Sequence, residues 1–591
     1  MTINERINAL RKLMKENGID AYLIDNADHH SSEYVSNYFK ERTFMSSFDG
    51  SNGKMLVTLD KSYLWTDGRY FLQAELDLKN TEIKLMKMDT DNTPSLLDFI
   101  KTELNGKVLG FDGTLVSSSF GKALDGCCTI KANKNLVSSI YTTRGELEFS
   151  HIWPLDKKLS GEARSERLSR VREEMKKRGA TSHILTSLDD IAWLLNLRGN
   201  DIPITPVFLS FLYINLNEAV LFCMSASVDE DVKKALKRDK VKIQEYSTFL
   251  MFINDLKDEK ILLSPSTMNY SYLKILSEKN EIIEGDNPTL LMKAIKNKVE
   301  IKNNRLIHEY DGLAVFRFMK YIKERYAKGL PISEYPMAEK VLEFRQRCDK
   351  FYEVSFDSIA SWNSNGAIIH YEPTKESSMD VSGTGFFLLD SGGQYMGGTT
   401  DITRTIELGE ISKEMKHHYT MVLKGLINVS RAKFISGSSG QNIDMLAREP
   451  FWAEGLDYRH GTGHGVGYML NVHEGPQGIR YKKVVERNDS SLFRPGMVTS
   501  IEPGIYLAGK YGIRLENEIL CQEDSKTEWG DFYSFETLTI CPFDLDPVLK
   551  EELTKDEKKW LNDYHKMVYR KLSKLCDESE LETLKQMTRR I

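Results

Sequence analysis

Three of the chain's 12 histidines, His460, His464 and His473, fall in one stretch, RHGTGHGVGYMLNVHEG at 459–475, with glycine at 461, 463, 465 and 467. Imidazoles ligate metals, move protons and donate hydrogen bonds to developing negative charge. The i, i+4 spacing of His460 and His464 would suit a metal site on a helix. Each glycine, however, costs a helix interior about 1 kcal/mol relative to alanine. An extended segment is predicted instead, with His460, Thr462, His464 and Val466 on one face. At ~3.3 Å per residue the two imidazoles then stand ~13 Å apart, too far to share one ion, so different jobs are expected of them. Taken alone, the stretch fits a glycine loop with incidental histidines equally well.

Carboxylates supply the partners. In LLDSGGQYMGGTTDITRT, Asp390 ends an apolar strand and Asp401 opens the next stretch, with glycines at 392, 393, 397 and 398 between them. Such a run reads as a hairpin that returns the chain antiparallel and sets both carboxylates on neighbouring strands. A turn residue at Asp390 and a simple cap at Asp401 are the plainer readings. Glu502 in VTSIEPGIY and Glu516 in GIRLENEIL interrupt apolar stretches. A buried carboxylate is costly unless it is paired or metal-bound; the alternative is the wet face of a sheet, which is expected to hold Glu518 and Glu407. Four carboxylates and one imidazole make a hard, oxygen-rich donor set. It favours Mn²⁺, with Zn²⁺, Co²⁺ or Fe²⁺ also compatible, and four negative charges suit two divalent ions ~3.5–4 Å apart. Arg514, two residues before Glu516, reads either as a residue that orients ligands or as a surface arginine.

The elements that must position these residues begin with a repeat. ERINALRKLMKENGIDAYLI (5–24) aligns with ERLSRVREEMKKRGATSHIL (166–185) at constant offset, with Glu5, Arg6, Met14 and Gly18 matching Glu166, Arg167, Met175 and Gly179. Apolar positions 7, 10 and 14, and again 168, 171 and 175, have helical spacing, and each glycine is placed to end its helix. A short buried strand follows in each copy. The fold class is α/β (α+β), with two related α/β domains at 1–155 and 156–297. A third domain spans 298–591, begins with a long amphipathic helix and holds all the chemistry above. Trp560, Leu561, Tyr564, Val568, Leu572 and Leu575 form a closing helical stripe, expected to pack on its own domain. Of the pair Phe451–Trp452, either ring suits core or contact surface.

Composition narrows the function. With 41% hydrophobic and 28% charged residues and a net charge of −6, this is an ordinary globular chain without a basic footprint for nucleic acid. The N-terminus is charged and amphipathic rather than a signal sequence. The apolar run at 207–223 carries polar residues and is too short to cross a bilayer, so no membrane is expected. Seven scattered cysteines read as reduced thiols of a cytoplasmic protein.

The order Asp390, Asp401, His464, Glu502, Glu516 resembles the five metal ligands of the M24 metallopeptidases with the pita-bread fold. AIIHYEP, DSGGQYMGGTTDITRT, HGTGHGVG, NVHEGP, SIEPGIY and GIRLEN look closest to the aminopeptidase P group. FDGSNGKMLVT and LWTDGRYFLQAE look like the first, creatinase-like domain of its long, three-domain form. The resemblance covers essentially the whole chain. It implies that Asp390 chelates one ion, that Asp401 and Glu516 bridge two, and that His464 and Glu502 complete the second. A hydroxide bridging the two divalent ions would attack the peptide bond before a proline in second position, with Glu502 as base. His370, His460 and His473 would bind substrate and stabilise the tetrahedral intermediate, with His464 also bordering the substrate. Arg69, in TDGRYF, would help hold the short peptide. A homodimer is expected, since relatives of this architecture are commonly dimers. A prolidase-like dipeptidase on the same catalytic fold competes with this reading. The doubled N-terminal half weighs against it, because such dipeptidases usually carry one domain there. A binding platform that has lost its metals is the other alternative, and here none of the five ligand positions is lost.

Overall fold

The repeated helices form as Ile3–Glu16 and Arg164–Lys177, and each buries its apolar stripe, Ile7, Leu10 and Met14 in the first and Leu168, Val171 and Met175 in the second. Both end the same way. Gly18 and Gly179 take φ of +59° and +72°, and the next amide, at Ile19 or Ala180, donates back to the carbonyl of Met14 or Met175 at 2.9 Å. That 6→1 closure satisfies a carbonyl the helix would leave unpaired and turns the chain into its strand. The computed structural model describes residues 1–483 and 489–591.

The chain divides into two compact units, 1–157 with 162–290, and 158–161 with 291–591. The first holds two six-stranded sheets. One runs Ile83–Lys87, Ser62–Thr66, Lys54–Thr58, Ala21–Ile24, Val108–Gly110, Thr129–Lys131. The other runs Val241–Glu245, Ala219–Cys223, Phe211–Asn215, Ser182–Leu185, Lys260–Leu263, Glu281–Glu284. Position by position the two have the same strand order and the same alternation of parallel and antiparallel pairs, as the sequence repeat predicts. The apolar run at 207–223 is the central hairpin of the second sheet, and no helix among the described residues is long and apolar enough to cross a membrane.

The second unit mixes helices with short sheets. The strand Gly385–Ser391 pairs antiparallel with both Ile359–Trp362 and Ile402–Leu408. The glycine-rich connection folds into the further short strands Gly393–Tyr395 and Gly398–Thr399. A four-stranded sheet runs Lys433–Ile435, Gly530–Thr537, Asn517–Thr527, Val498–Ile501. The helices Lys298–Ala327, Lys413–Ser430, Gly440–Trp452 and Lys555–Leu572 accompany these sheets. Gly312 lets the first come close: a Cβ there would lie 1.7 Å from the Ile540 carbonyl oxygen. The stripe on Lys555–Leu572 packs inward, with Leu561, Tyr564, Val568 and Leu572 buried. Phe451 is core, whereas Trp452 stays 38% exposed.

Candidate metal centre

The two aspartates come from the predicted hairpin. Asp390 pairs across it with Thr403, and Asp401 immediately precedes the return strand. The two glutamates arise at matching breaks. Glu502 lies between the strands Val498–Ile501 and Gly504–Leu507, and Glu516 between Tyr511–Arg514 and Asn517–Thr527. In each case the chain leaves one strand pair for another, so the side chain is freed from sheet alternation and turned inward. Backbone bonds fix both breaks, from Glu502 N–H to the Thr462 carbonyl (2.7 Å) and from Glu516 N–H to the Thr403 carbonyl (3.1 Å).

His464 sits in a two-residue strand, Gly463–His464, paired with Gly478–Ile479. Its amide donates to Ser500 Oγ at 3.0 Å. The glycines around it are required by close approach of backbone. A Cβ on Gly463 would lie 1.8 Å from the Ser500 carbonyl oxygen, and one on Gly465 2.0 Å from that of Glu474. They admit neighbouring chain, which itself explains why no helix forms there.

The five predicted ligands form one cluster. Donor atoms of Asp401, His464 and Glu516 lie within 4.8 Å of one another. His464 Nε2 stands 3.3 Å from Asp401 Oδ2 and 3.4 Å from Glu502 Oε1. Its Nδ1 faces the Gly465 carbonyl at 2.9 Å, so Nε2 is the atom presented to the carboxylates. Asp390 joins through Arg514, which donates to Asp390 Oδ2 from Nη2 (2.6 Å) and Nε (3.1 Å) and from Nε to Thr403 Oγ1 (3.3 Å). Thr403 in turn donates to Glu516 Oε2 at 2.8 Å. Arg514 is 2% exposed, which rules out the surface-arginine reading.

Electrostatics show what the cluster lacks. Burial, then neighbouring carboxylates, hold Glu516 well above the usual carboxylate range. Burial raises Asp401 to about 6, opposed by His464 and assisted by Asp390 and Glu502, and burial also raises Glu502. His464 moves the other way for an imidazole in the interior. Burial lowers it, but the hydrogen bond to Asp401 and the charge of Glu502 outweigh that and lift it to about 9. Asp390 Oδ1 and Asp401 Oδ1 are buried without a hydrogen-bond donor. Four carboxylates facing one arginine and one imidazole are short of positive charge. Hard divalent cations fit that donor set and that deficit.

The other predicted residues are placed as follows. His473 stacks edge-on to His464, ring centroids 4.4 Å apart. His460 also lies against Glu502, with Nδ1 3.9 Å from Oε2 while His464 faces Oε1 at 3.4 Å, so the two imidazoles of the HGTGH run flank one carboxylate and are nearer than the ~13 Å an extended strand predicts. Nδ1 of His460 faces the Gly461 carbonyl at 2.8 Å and its Nε2 the Tyr506 hydroxyl at 2.9 Å. Burial and Arg514 push its pKa well down, keeping the ring neutral. His370 follows Ile369, whose carbonyl accepts from Arg514 Nη2 at 3.3 Å. Arg69 belongs to the first unit, where Nε and Nη2 clamp Asp67 at 2.9 and 2.8 Å.

Two residues of the site escaped sequence reasoning. Tyr506 links His460 to Arg514, whose Nη1 donates to its hydroxyl at 2.9 Å. A tyrosine in a strand carries no signal of this. Glu518, expected on a wet face, is fully buried and accepts from the Asp401 amide at 2.7 Å. Glu407 is likewise mostly covered, 3.5 Å from Lys416. Alternation along a strand reports wet and dry faces only where one face meets water, and a helix covers this one.

Comparison with known proteins gives the family and the fold. Residues 6–140 and again 143–300 match models of the creatinase/prolidase N-terminal domain. Residues 303–523 match metallopeptidase family M24, and 531–591 the C-terminal region of that peptidase. Fold and site thus define an M24 metallopeptidase behind two creatinase-like domains. A probable Xaa-Pro aminopeptidase P of Laccaria bicolor is 39% identical over 99% of this chain and 93% of its own length. Xaa-Pro aminopeptidase 1 of Dictyostelium discoideum is 36% identical over 98% of this chain and 94% of its own. The crystal structure of X-prolyl aminopeptidase from Caenorhabditis elegans, described as a cytosolic enzyme with a di-nuclear active site, superposes with TM-score 0.95 at 33% identity over 100% of both chains. The chain belongs to the Xaa-Pro aminopeptidase P family of M24 metallopeptidases.

Proposed function

We propose that this enzyme releases the N-terminal residue from short peptides with proline in second position, using two divalent metal ions held by Asp390, Asp401, His464, Glu502 and Glu516. The observation that carries the proposal is the buried cluster of four carboxylates and one imidazole, with two carboxylate oxygens lacking any donor. Bound there, the ions would supply Lewis-acid activation of a water and of the scissile carbonyl.

The chain's own groups do the rest. Glu502 takes the attacking water's proton and passes it to the proline nitrogen as the C–N bond breaks. His473, beside His464, and His370 donate hydrogen bonds to the oxygen that gains charge. His460, whose Nε2 meets the Tyr506 hydroxyl, binds the peptide beside Glu502. Arg514 holds Asp390 in position. For Arg69 a contact with the peptide is proposed on the resemblance of TDGRYF alone. Selectivity has a chemical basis: the bond before proline is a tertiary amide without N–H, so an enzyme that reads that hydrogen cannot use it.

Mn²⁺ is the proposed metal, on the hardness of the donor set. A cytoplasmic location accords with seven unpaired cysteines. A homodimer accords with the exposed apolar side chains Met445, Leu446 and Trp452 on one helix of the catalytic unit. Light scattering tests it, and a monomeric mass would refute it. The test of function compares an Xaa-Pro-Xaa tripeptide with an Xaa-Pro dipeptide, before chelation, after it and after Mn²⁺ is returned. Cleavage of the tripeptide only with metal is expected. Preference for the dipeptide, or full activity without metal, would overturn the proposal.

A further inference from the structure

Behind the metal cluster lies a second buried ionic pair that the reaction does not use. Glu518, two residues past Glu516, is fully buried, and its Oε1 accepts from the backbone amide of Asp401 at 2.7 Å. Its own amide donates to Thr539 Oγ1 at 2.7 Å, so the residue is fixed at both ends. Its other oxygen, Oε2, lies 3.3 Å from Nε2 of His308, at ion-pair distance without hydrogen-bond alignment. His308 stands on the buried face of the helix Lys298–Ala327, and its Nδ1 meets the Asn304 carbonyl one turn back at 2.7 Å. With Nδ1–H given to that carbonyl, the ring faces Glu518 through Nε2.

A buried carboxylate is retained at a cost unless it is paired. Here it holds no side chain of the cluster. It holds the main chain of one ligand, at the point where the hairpin delivers Asp401. That amide precedes the strand Ile402–Leu408 and has no partner in its ladder. The Asp401 side chain is in turn fixed on one side only, by His464 at 3.3 Å, with Oδ1 left free.

We propose that Glu518, held by His308, is a positioning residue for the metal centre: it pins the Asp401 backbone so that the carboxylate faces the ions. The inference rests on the metal assignment above. It makes the long helix that opens the catalytic unit part of the site's support, through one imidazole.

The test measures Mn²⁺ affinity of the full chain, alongside thermal unfolding and tripeptide hydrolysis, in wild type, His464→Ala, Glu518→Gln, Glu518→Leu and the double variant His308→Leu/Glu518→Leu. Glutamine keeps an acceptor for the Asp401 amide, whereas leucine removes it. The double variant replaces the whole ion pair with apolar groups, an exchange that buried pairs commonly tolerate. We expect Glu518→Gln to bind Mn²⁺ within about threefold of wild type and the apolar variants about 10–100-fold more weakly. A folded apolar variant that binds Mn²⁺ as wild type does would overturn the proposal. So would a Glu518→Gln variant as weak as the leucine ones, since charge rather than the amide contact would then matter. Failure of both apolar variants to fold would overturn it too, by making the pair a requirement of the fold alone. If wild type binds no Mn²⁺, or His464→Ala binds it unchanged, the metal assignment itself is what fails.

Discussion

The chain buries histidines beside acids in both of its units, and to opposite effect. In the first, Asp28, His29 and His30 sit together. His30 Nδ1 meets the Thr186 carbonyl at 2.9 Å and its Nε2 the Tyr246 hydroxyl at 2.9 Å. Burial pushes His30 down to about 3, against the pull of that carbonyl. In the second, His464 faces two carboxylates and is lifted to about 9. His30 is 2% exposed and the His464 side chain 15%, so both rings are largely covered and burial alone does not separate structure from chemistry. The difference is what the second nitrogen meets. At His30 a neutral hydroxyl completes a closed set. At His464 the nitrogen faces Asp401 and Glu502, Asp401 Oδ1 and the nearby Asp390 Oδ1 have no donor, and the surplus negative charge calls for a cation.

Breaking that contrast from its stronger side gives the largest effect. His464→Ala is expected to lose bound metal and to reduce tripeptide hydrolysis to background, read by metal analysis and assay of the same sample. A variant that keeps both would place His464 with His30 as a structural residue. Next come the histidines assigned to substrate. His370→Ala, His460→Ala and His473→Ala should each lower turnover by about 10²-fold, as loss of a group that binds substrate or stabilises developing charge does, while keeping most of the metal. Metal loss equal to that of His464→Ala would erase the division between ligand and substrate groups.

The third effect is a pH dependence. In the metal-free chain Asp401 holds its proton up to about 6 and His464 up to about 9. An incoming ion must displace those protons. Below these values protons compete, so Mn²⁺ affinity should rise with pH between about 6 and 9, by roughly tenfold per unit for each proton displaced. The sign is the same for stability. Raised folded pKa values stabilise the metal-free protein at low pH, and that contribution fades as pH rises through Asp401's value and then His464's. The gain in Tm on adding Mn²⁺ should therefore grow over the same window. Metal titrations at several pH values check it, and a flat profile would contradict the protonated cluster described here. The smallest effect at the site belongs to the other region. His30→Leu leaves Tyr246 and Thr186 without their partner and should cost about 1–3 kcal/mol of stability, with Mn²⁺ content and hydrolysis unchanged. Loss of metal in that variant would mean that the two clusters are not independent.

Much of this molecule is legible without coordinates. The two copies of an apolar stripe closed by glycine specify two like domains, because helical spacing and the left-handed φ that glycine alone adopts easily are local properties. The glycine run between Asp390 and Asp401 specifies a hairpin for the same local reason, and the ordered set of five donors is legible as a resemblance to the ligands of the M24 family, on which the proposed metal centre rests. Tertiary structure alone decided the rest. Glu518 looks like the wet side of a strand until the helix carrying His308 covers it. Tyr506 looks like any strand residue until strand pairing brings it to His460, and only burial beside Asp390 decides between the two readings of Arg514. Gly463 and Gly465 read as flexibility, yet they are fixed by the carbonyls of Ser500 and Glu474, tens and about ten residues away in the chain. Local preferences are written residue by residue, whereas burial and charge compensation are sums over neighbours that only the folded chain assembles.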